Sequence, residues 1–293
     1  MARPTIHNRP IPWVSETLID FDGVQLELCV PEEIWNVACQ DELAQLYERQ
    51  STENHFILGK SRTMVEELMQ STEALDVRTM IDVGVYKGGS VVFFNEVFRP
   101  EKLVAIERNS AAIPALASYC NDPVRIDRVR VFLGVDQADR PALGRICRHE
   151  FADQPLDLIV DDASHFFDET RSTFRALFPR LRPGGIYIIE DWGWAHWRGD
   201  HWQKERGGDY FRGKLPLSNL LVELMLLCAG SPELVRSVTF NSTVIYVERG
   251  DGAVEPGFEP SDHWFNRGDP VPRVGAAAAP STVYSSPTFV IRG

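Results

Sequence analysis

Three stretches of this 293-residue chain bring chemically capable side chains close together. The densest is Leu158-Ile-Val-Asp-Asp-Ala-Ser-His165, where two carboxylates and an imidazole follow a short apolar run. A second apolar run ends in Ile188-Ile-Glu-Asp191. If the two runs are neighbouring parallel strands, Asp162 and Asp191 come side by side with Glu190 close. They then lie at the carboxyl end of the sheet, where open α/β folds build their sites. Clustered carboxylates repel unless a cation sits among them, and all-oxygen ligation suits Mg²⁺ or Mn²⁺. Asp162, Glu190 and Asp191 are therefore candidate metal ligands. His165 is the candidate general base, because an imidazole titrates near about 6.5 and accepts a proton at neutral pH. The plainer alternatives are that one Asp caps the next helix and that the His is structural.

The second stretch is Met80-Ile-Asp-Val-Gly-Val-Tyr-Lys-Gly-Gly-Ser90, a turn between a predicted strand and a predicted helix. Glycines allow a tight turn, and a helix N-terminus offers free N–H groups to a polar or anionic ligand. The spacing is G-x-x-x-G-G rather than G-x-G-x-x-G, which fits a ligand with no pyrophosphate to cradle. Asp82, Gly84, Gly88, Gly89 and Ser90 are candidate cofactor contacts, and a turn serving backbone geometry alone is the alternative. Glu107 ends the run Lys102-Leu-Val-Ala-Ile-Glu107, 19 residues after Gly88. An acidic group at that strand tip can accept both ribose hydroxyls of an adenosine ligand. Taken alone it reads as a helix N-terminal charge or a solvated loop residue. Asp136, in Gly134-Val-Asp-Gln-Ala138, is placed either to reach an adenine amino group or to cap a helix before Pro141. Asp161 joins the cofactor set. Trp192, Trp194, Trp197 and Trp202 crowd together with His196 and His201. They read as ordinary packing or as a lid whose aromatic faces stack on an acceptor.

These side chains need a scaffold. Apolar runs at 78–84, 102–107, 129–133, 157–161 and 186–190 predict strands, and helical patterns fall at 90–98, 111–120, 141–150 and 168–181. Such alternation predicts a parallel sheet with helices on both faces. A helix is expected at 217–228, and Ser237 to Glu248 holds two apolar runs around a polar break. The expected class is α/β: a Rossmann-like, seven-stranded, mostly parallel sheet with an antiparallel terminal hairpin. Residues 1–75 show helical periodicity over 31–49 and 61–75, and Thr63-x-x-Glu66 fits a capping box, so a helical cap is expected there. The cofactor-binding domain is expected over 76–250. Residues 250–293 hold six Gly and six Pro in 44 positions, which disfavours regular structure, although 288–292 is apolar enough to dock.

Lys plus Arg is 30 against 42 Asp plus Glu, a net charge of −12, so a general nucleic-acid binder is not expected. Five cysteines at 29, 39, 120, 147 and 228 form no C-x-x-C pair, which argues against a disulfide framework and a thiolate zinc site. The first residues lack a signal-type apolar core, and the greasy stretch 215–229 is interrupted and too short for a bilayer. A cytoplasmic protein with no membrane partner is expected. Only five of the 30 cations are Lys, a skew that fits a GC-rich bacterial genome.

On these residues the chain resembles class I S-adenosylmethionine-dependent methyltransferases. Through Val160-Asp-Asp-Ala-Ser-His165 and Pro183-Gly-Gly-Ile-Tyr-Ile-Ile-Glu-Asp191 it is similar to the metal-dependent sugar O-methyltransferases of antibiotic pathways. That family includes the macrocin and mycinamicin enzymes and the cephalosporin-hydroxylase-like proteins. The likeness covers about residues 77–250. It implies S-adenosylmethionine and Mg²⁺ as cofactors, the ion on Asp162, Glu190 and Asp191, and His165 as base. Macrocin-type members carry Asp-Asp where this chain has Glu190-Asp191, which leaves Glu190 the less certain ligand. The implied reaction is methylation of a hydroxyl on a (deoxy)sugar or glycosylated natural product, in a homo-oligomer. A catechol, phenolic or polyketide acceptor is an alternative, as is a non-catalytic adenosine-binding module, motivated by the long tail. A nicotinamide dehydrogenase is disfavoured by the missing G-x-G-x-x-G.

Overall fold

The computed structural model describes residues 8–36, 48–198, 202–203, 211, 213–255 and 257–274. Every apolar run predicted as a strand is one. The central strands β4 (Thr79–Val83) and β7 (Leu156–Asp161) are buried at every position, as continuous apolar runs require when helices cover both faces. With β5 (Lys102–Glu107), β6 (Val129–Leu133), β8 (Leu181–Glu190), β9 (Val235–Phe240) and β10 (Val244–Arg249) they form a seven-stranded sheet of order β6-β5-β4-β7-β8-β10-β9. The first five strands of that order are parallel, and β10 runs antiparallel to both β8 and β9. The chain winds outward from β4 through β5 to β6, then crosses back to β7 and β8. The sheet is thus a Rossmann-like doubly wound one, with its topological switch between β4 and β7.

Side-chain alternation divides the core into two layers. In β5, Leu103 and Ala105 join one apolar cluster, while Val104 and Ile106 join the other. The first layer holds α2 (Gly89–Phe98) and α3 (Pro114–Cys120); the second holds α4 (Arg140–Phe151), α5 (Phe167–Leu177) and α6 (Ser218–Gly230). Helix α5 stops short of the predicted 181, because Pro179 removes a donor and a 3₁₀ turn over Phe178–Arg180 leads into β8.

The expected helical cap is in part a small sheet. β1 (Leu18–Phe21) and β2 (Val24–Leu28) form a hairpin, and β3 (His55–Leu58) runs parallel to β2. The hairpin turns on Asp22 and Gly23, both at positive φ (56° and 96°), which is the geometry an Asp-Gly pair favours. Among the described residues, α1 (Arg62–Ser71) falls within the helix predicted over 61–75. Of the 31–49 stretch, 32–35 form turns and 37–47 lie outside the described residues. The cap of α1 is Ser61, whose Oγ accepts from Met64 N–H at 3.3 Å, rather than Thr63. This sheet seats directly on the glycine turn: a Cβ added to Gly89 would stand 2.2 Å from Ile57 O.

The first part of the tail is packed. Phe258 lies against Phe174 and Phe178, Glu259 pairs with Arg171 and Arg175, and Val274 N–H donates to Asn219 Oδ1 at 2.8 Å. The docking segment expected at 288–292 lies outside the described residues. No described helix is long and apolar enough to cross a membrane.

Candidate active site

Strand register converges the acidic residues. β4 pairs Val83 with Asp161, and β7 pairs Asp161 with Ile189, so Gly84, Asp162 and Glu190 leave the sheet at one edge. Gly84, at φ +102°, lies so close to the next strand end that an added Cβ would stand 2.0 Å from Asp162 O. Beyond the strands, His165 and Asp191 both adopt the left-handed backbone, at φ 57°. His165 Nε2 then lies 3.9 Å from Asp162 Oδ1 and 4.0 Å from Asp191 Oδ2. Its ring sits edge-on to Trp194 with 4.6 Å between centroids.

Asp162, His165 and Asp191 each offer a ligand atom within 4.8 Å of the others. Bonds of about 2.1 Å to Mg²⁺ put opposite ligands about 4.2 Å apart, so the Asp162 and Asp191 carboxylates could share one ion with His165 beside it. Two hard carboxylate oxygens in a half-buried cluster of negative charge fit a divalent cation. Burial raises the Asp191 carboxyl to about 6, and Asp162 adds to the rise while His165 opposes it.

The predicted third carboxylate does something else. Glu190 is buried and its Oε2 lies 2.5 Å from Lys60 Nζ, which also reaches Asp162 Oδ2 at 3.3 Å. Burial alone would lower the Lys60 pKa, but Glu190 and then Asp162 raise it above the ordinary lysine value, so the ammonium stays charged. Glu190, expected as a ligand, stands outside the three-residue group and pairs with Lys60 instead. Lys60 was not visible in the sequence pattern, because its partners lie 102 and 130 residues away. Gln137 was missed as well. Its side chain donates to Asp161 Oδ1 at 3.2 Å and accepts from Ser164 N–H at 2.8 Å, which fixes the loop carrying His165.

A cleft of about 740 Å³ opens at the switch point, lined among others by Gly84, Glu107, Asp136 and Asp162. Glu107 holds the glycine turn: Oε2 accepts from Val85 and Tyr86 N–H at 3.0 and 3.1 Å, and Oε1 accepts from Asn109 N–H at 2.8 Å. Each carboxylate oxygen can accept more than one bond, so a ligand hydroxyl still finds a partner there. Asp136 lines the same cleft and is not the helix cap; Asp139 caps α4 through Ala142 N–H at 2.9 Å.

The other predicted cofactor residues do not line the cleft. Asp82 is buried and accepts from Ser90 Oγ at 2.7 Å, and burial raises its carboxyl to about 7. Asp161 accepts from Tyr187 Oη at 3.0 Å and from Gln137, and burial raises it to about 8. Gly88 and Gly89 turn the backbone into α2 and admit β3. These five residues support the cleft from behind.

On the far side of His165 lies a second cavity of about 370 Å³, walled by Phe166, Trp194, Trp202 and Phe211. Phe166 and Lys214 line both cavities, so the two adjoin; Asp162 lines the first and His165 the second. Trp197 and Trp202 pack with Ile34, whereas Trp192 donates to Asn241 O at 2.8 Å and does not line the cavity. His196 contacts Ser218 Oγ at 2.9 Å, and His201 lies outside the described residues.

A family profile described as a methyltransferase domain matches residues 81–192, the segment from β4 to the acidic pair. Over 72 residues the chain is 46% identical to mycinamicin VI 2''-O-methyltransferase of Micromonospora griseorubida, covering 25% of this chain and 17% of that protein. Over 66 residues it is 46% identical to demethylmacrocin O-methyltransferase of Streptomyces fradiae, covering 22% and 15%. The matched stretch therefore spans less than a fifth of these curated relatives. Among solved structures, the MycE methyltransferase of the mycinamycin pathway in complex with Mg, SAH and mycinamycin VI aligns with a TM-score of 0.47 at 23% identity, over 66% of this chain and 51% of that one.

Proposed function

We propose that this chain is an S-adenosylmethionine- and Mg²⁺-dependent O-methyltransferase acting on a hydroxyl of a (deoxy)sugar or glycosylated natural product. The observation that carries the reading is the grouping of Asp162, His165 and Asp191 where two cavities adjoin, Asp162 lining the cleft beside the glycine turn and His165 the one walled by aromatic rings. The local identity to mycinamicin and macrocin sugar O-methyltransferases supports the choice of reaction and of acceptor class.

The two cofactors supply an electrophilic methyl group and a Lewis acid that lowers the acceptor hydroxyl's pKa. Glu107 accepts the ribose hydroxyls while keeping the glycine turn closed, and Asp136 borders the base. Asp162 and Asp191 would hold the ion. His165 would take the proton of the acceptor hydroxyl, freeing its oxygen to accept the methyl group that the bound sulfonium supplies. Phe166, Trp194 and Trp202 hold the acceptor ring by stacking and keep water from the reacting oxygen. The same flat walls fit a catechol ring, whose vicinal oxygens also suit a metal, and this is the second reading.

The test is transfer of labelled methyl from S-adenosylmethionine to a panel of glycosylated and catechol acceptors, with and without a chelator. Label in a sugar that disappears with the chelator and returns with Mg²⁺ supports the proposal. Transfer that ignores the chelator removes the metal step, and label confined to catechols replaces the acceptor.

A further inference from the structure

Lys60 is 1% exposed, two residues beyond β3 of the small N-terminal sheet, and its Nζ reaches Glu190 and Asp162 of the acidic cluster. A buried ammonium is stable only when paired, and both of its partners belong to the candidate active site. The pairing sorts the two neighbouring acids after β8. Glu190 turns to Lys60, while Asp191 turns to His165. It also divides Asp162, whose Oδ2 faces Lys60 and whose Oδ1 faces His165.

We propose that Lys60 is a positioning residue that takes Glu190 as its counter-ion and orients Asp162, so that the divalent cation is held by two carboxylates, Asp162 and Asp191, and not three. This rests on the metal reading above. Lys60 and Glu190 offset each other's charge, so an ion held there would face the two carboxylates of Asp162 and Asp191. The small sheet, outside the segment that matches the methyltransferase domain, thereby sets the charge of the metal site.

The test is calorimetric titration of the full chain with Mn²⁺ at pH 8, in wild type, Lys60→Met and Lys60→Met/Glu190→Gln. S-adenosylhomocysteine binding in each variant reports that the cofactor site is folded. Lys60→Met frees a third carboxylate beside the ion and is expected to tighten Mn²⁺ binding by about tenfold or more. The double variant removes a neutral pair, a change buried sites often tolerate, and is expected to bind within about threefold of wild type. A double variant that loses about a hundredfold or more would show Glu190 to be a ligand and overturn the proposal. An unchanged affinity in Lys60→Met overturns it too, since a purely structural lysine does not tighten metal binding. If Lys60→Met fails to fold, the double variant alone decides. Absence of Mn²⁺ binding in every protein overturns both this inference and the metal step, while S-adenosylhomocysteine binding separately judges the methyltransferase reading.

Discussion

His165 and Asp191 leave two different strands, yet both hold the left-handed backbone at φ 57° and face each other across 4.0 Å between Nε2 and Oδ2. A non-glycine residue in that region costs about 1–3 kcal/mol, so two at one point mark a geometry that the surrounding packing imposes. Replacing the imaginable role of His165 by none, in His165→Ala, is expected to slow methyl transfer by about 10²–10⁴. S-adenosylhomocysteine affinity should stay unchanged, because His165 does not line the cleft of about 740 Å³. Turnover within about threefold of wild type would remove its role as base.

Gly84→Ala tests the close approach of β4 to β7. The added Cβ would meet Asp162 O at 2.0 Å on a backbone already at φ +102°. Backbone strain alone predicts a loss of about 1–3 kcal/mol, and the clash adds to it. Urea denaturation reads the loss, and an unchanged midpoint would contradict the strand-end geometry.

The parts legible in the sequence are those fixed by local pattern. Continuous apolar runs marked the five parallel strands, and Asn241 to Thr243 marked the break between β9 and β10. The parallel pairing of β7 and β8 then followed, and with it the meeting of Asp162 and Asp191. Long-range pairing was not legible. Periodicity over 31–49 and 61–75 suggested a helical cap, although Asp22-Gly23 flanked by Ile19, Phe21, Leu26 and Leu28 carries a hairpin signal. β3 joins β2 across an intervening segment, and Lys60 finds Glu190 130 residues away; neither leaves a local trace. Asp82 and Asp161 read as cofactor contacts because they sit in the right motifs, but strand burial turns both inward.

Asp161 gives a pH prediction. Its folded pKa, raised by burial to about 8, lies above the ordinary 3.8, so the folded state binds its proton more tightly than the unfolded state does. The resulting stability is fully present below 3.8 and is lost as pH rises through about 8. Asp161→Asn should therefore show a smaller fall in Tm between pH 5 and about 8.5 than wild type. Equal falls in the two proteins would contradict a buried, protonated Asp161.

Trp194 stands beside His165 and walls the second cavity. Trp194→Ala should raise the acceptor KM by about tenfold, with a smaller change in kcat, as expected for a stacking surface. Unchanged KM would move the acceptor elsewhere.

The most direct measurement is calorimetric binding of S-adenosylhomocysteine, with and without Mg²⁺, to wild type and Glu107→Ala. Glu107 lines the cleft and also accepts from the backbone of the glycine turn. Micromolar binding that Glu107→Ala abolishes is the predicted result. No binding by wild type under either condition would contradict the methyltransferase account.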